Sequence, residues 1–70
     1  MFDYRKLRGK IRERYGTERD FAKALGVSPA TLSAKLNNKL YFTQKDMRTI
    51  CNMLDLSISD IPAYFFAPLV

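Results

Sequence analysis

The sequence has no histidine, no tryptophan, one cysteine, three glycines and three prolines in 70 residues. The lone Cys51 excludes an internal disulfide, and without His or further Cys a structural zinc site lacks its ligands. A catalytic nucleophile needs a base beside it and a third group to orient that base. Here the usual base is missing, and the acids fall mostly at expected helix starts, where capping accounts for them. The chain is therefore expected to be no enzyme and to hold no metal or cofactor. Cys51 lies in an apolar helical run and reads as a small buried hydrophobe. No apolar run approaches the roughly 20 residues of a membrane span. The start, MFDYRKLRGK, lacks the apolar stretch of a secretory signal. These absences predict a cytoplasmic protein with no membrane partner and no small-molecule substrate.

What is present is basic charge, unevenly placed. The net charge is +5. Residues 1–16 carry six basic and two acidic side chains, residues 17–42 four and two, and residues 43–70 two and three. A cationic half is the electrostatic footprint of a phosphate-backbone binder, although a solvated surface gives the same composition. Seventy residues make one small domain, 1–70, whose core is marginal without outside help.

The organising stretch is Thr17–Lys39, TERDFAKALGVSPATLSAKLNNK. Thr17 can cap a helix, with Asp20 at the capping-box position and Glu18 in the first turn. Phe21, Ala22 and Leu25 share a face, and Gly26 ends the helix. Ser28 caps a second helix that Pro29 opens at a position where its missing N–H does no harm. Leu32 and Leu36 face inward, leaving Ala30, Thr31, Ala34 and Lys35 outside. Small neutral residues on an outer face suit a helix that lies against something large, such as the major groove of DNA.

Other helices follow from the same signals. Asp3 caps a first helix over about Tyr4–Tyr15, with Leu7, Ile11 and either Tyr15 or the Arg14 stem inside. Arg5, Arg8 and Arg12 read as an ordinary solvated face. Gly9 sits mid-helix at a cost of about 1 kcal/mol relative to Ala, and close packing is one reason to keep it. Thr43 and Asp46 form a second capping box before a helix over about Gln44–Leu54, whose face is Met47, Ile50, Cys51 and Leu54. Ser57 and Asp60 form a third, before a short helix limited by Pro62. The expected fold is all-α, with about five short helices.

The Thr17–Asn37 pattern resembles the helix-turn-helix of Cro/CI-type phage repressors, the XRE family. The matching residues are Thr17, Phe21-Ala22, Leu25-Gly26-Val27-Ser28, Thr31-Leu32-Ser33 and Leu36-Asn37. LSAKLNNKLYF and the terminal YFF are similar to small phage and prophage regulators. The resemblance implies a lambda-repressor-like domain with its helix-turn-helix unit at 17–38, binding an operator in double-stranded DNA. It implies that Pro29, Ala30, Thr31, Ala34 and Lys35 face the bases. It places Thr17, Arg19, Ser28, Asn37, Asn38 and Lys39 at phosphates, with helix termination as the other role open to both asparagines.

Two departures weaken that readout. Relatives often carry Gln where this chain has Pro29 and Ala30, and Gln can read adenine bidentately whereas Ala and Pro cannot. Relatives also carry Gln at position 18, often against a phosphate that Glu18 would repel. A second reading therefore stands beside the repressor: an antirepressor or modulator that binds a partner repressor. The apolar tail 61–70 bears on this. Tyr64, Phe65, Phe66, Leu69 and Val70 either complete the core or form an interface with a second copy or another phage regulator.

Overall fold

The first helix has Tyr4, not the expected Asp3, at its N-cap, and Asp3 bonds the chain from one residue earlier. The Asp3 Oδ1 accepts the Arg5 backbone N–H at 2.9 Å, and α1 runs over Arg5–Tyr15. The structure, a computed structural model, describes residues 1–69. Beyond α1 come α2 (Glu18–Leu25), α3 (Pro29–Leu36), α4 (Gln44–Met53), a 3₁₀ turn at Ile58–Asp60 and the short α5 (Ile61–Phe65). The fold is all-α, as the spacing of caps and apolar residues predicts. Among the described residues the one β feature is a single antiparallel bridge between Phe2 and Pro68.

Local signals explain most boundaries. The Thr17 hydroxyl accepts the Asp20 N–H at 3.0 Å. The return bond from the Asp20 carboxylate does not form among the described residues, so the box expected there is half made. At Thr43 both halves form, with Asp46 Oδ2 accepting the Thr43 N–H at 2.9 Å. Gly26 adopts a left-handed conformation (φ 86°) and ends α2. Its N–H reaches the Lys23 carbonyl while the Val27 N–H reaches that of Ala22, which satisfies the last carbonyls of the helix. Asn38 (φ 63°) does the same for α3 and Asp55 (φ 55°) for α4, each with the matching pair of backbone bonds. Asn and Asp tolerate this region because their short polar side chains can bond locally.

The core is built from every helix. Leu7 and Ile11 of α1, Phe21 and Ala22 of α2, Leu32 and Leu36 of α3, Ile50 and Cys51 of α4, and Tyr64 and Phe65 of α5 are all buried. Tyr15, not the Arg14 stem, completes the α1 face. Its ring meets Phe21 edge-on at 5.0 Å, while exposed Arg14 pairs with Asp55. Aromatic rings line the join between the chain ends and the helices. Phe42 packs edge-on against Tyr4 and Phe65, each at 5.2 Å, and Phe2 against Phe66 at 5.4 Å. Edge-to-face pairs contribute about 0.5–1.5 kcal/mol each beyond the area they bury.

Candidate functional site

The turn between α2 and α3 is three residues long, Gly26 to Ser28. Ser28 Oγ accepts the Thr31 N–H at 3.1 Å and donates to Thr31 Oγ1 at 2.9 Å. Both hydroxyls expected near DNA are thus engaged within the first turn of α3. Pro29 and Ser33 are exposed. Of the residues expected on the outward face of α3, Ala30 is exposed while Thr31 and Ala34 are half-buried.

Lys35 corrects the expected base-reading surface. Its side chain is only 16% exposed, and its ammonium donates to Asp46 Oδ2 at 2.5 Å. It also stands 6.0 Å above the Phe42 ring. The long basic side chain of α3 is therefore committed to α4. Burial opposes ionisation of Asp46, but the Lys35 ammonium and the Thr43 N–H outweigh it and hold the carboxyl below the ordinary carboxylate range.

Asn38 is a second correction. Its amide donates to the Phe2 carbonyl at 2.9 Å and accepts the Phe2 N–H at 2.9 Å. The side chain expected at a phosphate instead holds the start of the chain. Asn37 stays exposed. Its Nδ2 donates to Ser33 Oγ at 3.2 Å, and its Oδ1 accepts from Arg8 at 3.1 Å.

Arg8 is therefore no ordinary solvated residue. One guanidinium nitrogen donates to both Glu18 oxygens, at 2.9 and 2.8 Å. The other donates to the Leu36 carbonyl at 3.2 Å as well as to Asn37. One side chain joins α1, the start of α2 and the end of α3, and places a cation where the dipole of α3 is negative. The Glu18 carboxylate thus pairs with Arg8, and the Arg12 guanidinium stands 3.6 Å from the same oxygen.

Of the remaining expected phosphate contacts, Thr17 is exposed but already caps α2. Arg19 and Lys39 are exposed and form no ion pair among the described residues. Lys23 of α2 is likewise exposed and unpaired among the described residues.

The apolar tail divides. Tyr64 and Phe65 belong to the core and not to a surface, because α5 turns them against α1 and Phe42. Phe66 and Leu69 are exposed. Val70, also expected at the interface, lies outside the described residues. Phe66 meets Phe2, and the Leu69 N–H reaches the Met1 carbonyl at 3.3 Å. Met1, Leu40 and Tyr41 are exposed around the same Phe2 segment. This apolar end was half legible in YFF; Leu40 and Tyr41 read only as a loop.

No helix among the described residues is long and apolar enough to cross a membrane. No cluster of three or more metal-ligating side chains forms among them either.

The chain belongs to the family described as proteins of unknown function, DUF739, whose model matches residues 1–68. Among solved structures it is similar to the solution structure of the modulator of repression (MOR) of the temperate bacteriophage TP901-1 from Lactococcus lactis. The identity is 43%, over 93% of this chain and 88% of that one, with a TM-score of 0.84. No curated protein matches the chain. The likeness is thus to a phage regulator, and membership of the Cro/CI group is carried by neither match.

Proposed function

We propose that the chain is a modulator of repression that works by binding a partner phage repressor, not a repressor that reads an operator alone. The observation that carries this is the 43% identity, across nearly the whole chain, to a protein described as a modulator of repression. The α3 face supports it. Pro29, Ala30 and Ala34 offer no bidentate base contact, and Lys35 is held by Asp46. The chain does no chemistry and needs no cofactor in this role. Arg19 and Lys39 leave a salt-sensitive contribution to DNA binding within a complex.

The test combines three samples: the chain, the repressor encoded in the same phage or prophage genome, and their mixture. Sedimentation and operator gel shifts are read for each. The expected result is a complex of larger mass and altered operator affinity in the mixture, with no sequence preference for the chain alone. Tight, sequence-preferring binding by the chain alone that falls steeply with salt, without complex formation, would restore the autonomous repressor.

A further inference from the structure

A second surface is formed by α4, the 3₁₀ turn and α5. Met47 of α4, Ile58 of the 3₁₀ turn and Ile61 of α5 line an open cleft of about 210 Å³ together with Gln44 and Arg48. Ile58 is 71% exposed, although it is a large aliphatic residue on an ordered turn. The cleft is of the size of one large apolar side chain, by the ~150 Å³ scale of a cavity that takes a benzene ring, but it is open to solvent on the outside.

The rim is cationic. Arg48 lines both this cleft and an adjoining polar hollow that also contains Lys45. Neither cation has an ion-pair partner among the described residues, and no acid lines either space. Arg8, Arg14 and Lys35 are matched by Glu18, Asp55 and Asp46, whereas Lys45 and Arg48, like Arg19 and Lys39, pair with no acid among the described residues. Asp46, the acid of this helix, is turned to Lys35. An apolar floor beside two unmatched cations suits a segment that carries an apolar residue next to carboxylates. A nucleic-acid backbone would use the cations but leave Met47, Ile58 and Ile61 without a role.

Resting on the modulator reading, we infer that this cleft receives an acidic segment of the partner repressor, with one large apolar side chain seated between α4 and the 3₁₀ turn. Arg48 and Lys45 steer and orient the segment, and Ile58 forms the apolar contact.

The experiment measures binding of the full chain to the repressor of the same genome, for the wild type and for Ile58→Asp, Arg48→Glu and Tyr41→Ala. Far-UV CD checks folding, and Ile58→Ser replaces the aspartate variant should the turn be disturbed. The expected result is a loss of at least tenfold for both cleft variants, with Tyr41→Ala binding like wild type. Rising salt should weaken the wild type more than Arg48→Glu. Wild-type affinity in either folded cleft variant overturns the inference while leaving the modulator reading intact. Loss confined to Tyr41→Ala overturns it and moves the interface to the apolar chain-end surface. If Arg48→Glu weakens only DNA binding by the mixture and Ile58→Asp is silent, the rim is a phosphate contact and the inference fails. No binding by the wild type removes both readings.

Discussion

Asn38 spans both polar groups of the Phe2 backbone, donating to its carbonyl and accepting its N–H, each at 2.9 Å. The side chain acts as a strand edge would, although the residue itself ends a helix in a left-handed conformation (φ 63°). Asn38→Gly keeps that conformation accessible and removes the clamp. It should cost about 1–3 kcal/mol, from two hydrogen bonds of about 0.5–1.5 kcal/mol each. Asn38→Ala should cost about 1–2 kcal/mol more, because Ala resists the left-handed region. Urea midpoints of the two variants check both parts; a Gly variant as stable as wild type would remove the clamp.

Gly9 was open to a packing explanation, and the structure removes it. A Cβ built there meets nothing within 4 Å, and its helical conformation suits any L residue. Gly9→Ala should therefore stabilise the domain by about 0.5–1 kcal/mol. A thermal melt should rise by about 2–8 °C. A lower melting temperature would show that the helix needs the glycine for a reason outside this fold.

Acid should loosen the contact between α3 and α4. The Asp46 carboxyl lies below its ordinary range in the folded chain, so the unfolded chain binds that proton more readily. The stabilisation is then fully present above the unfolded value of about 3.9 and is lost as pH falls through the lower folded value. Asp46→Asn should be less stable than wild type near neutrality, with the gap narrowing as pH drops below about 4. Parallel denaturant titrations at pH 7 and pH 3 read this directly, and a gap that stays constant would show that the ion pair does not titrate with stability.

Arg8 and Glu18 should be energetically coupled. Arg8→Met keeps the apolar stem, and Glu18→Gln keeps the shape. A double-mutant cycle should give about 0.5–2 kcal/mol of coupling, above the usual worth of a surface pair, because both side chains are half-buried and the guanidinium also holds α3. Arg8→Met alone should cost more than Glu18→Gln, since only the first also frees the Leu36 carbonyl. Coupling near zero would reduce the pair to a solvated contact.

Helix positions were legible because their causes are local. Thr17, Ser28 and Thr43 stand three residues from the N–H groups they cap, and Leu32 and Leu36 stand one turn apart. The left-handed Asp55 was not read from sequence, since Asp carries no such strong signal as Gly26. The site residues that changed role did so through distant partners. Lys35 looked like a base reader until the fold brought Asp46 to it, and Arg8 looked solvated until α1 crossed the ends of α2 and α3. Asn38 finds its partner 36 residues away. No local spacing encodes such pairs. Tyr64 and Phe65 were separable from Phe66 and Leu69 only once α5 had a direction.

The bridge between Phe2 and Pro68 turns the polypeptide into a nearly closed ring. Closing it costs the entropy of a loop that takes in every helix. Contacts of this sort also open first, through small excursions that leave the helices intact. The amides of Asp3 and Leu69, bonded across the bridge, are thus the ones to exchange with solvent ahead of the core. Since Phe2 also holds Asn38, each such opening reaches the end of α3. Hydrogen exchange at the Phe2 segment and at the end of α3 should therefore rise and fall together.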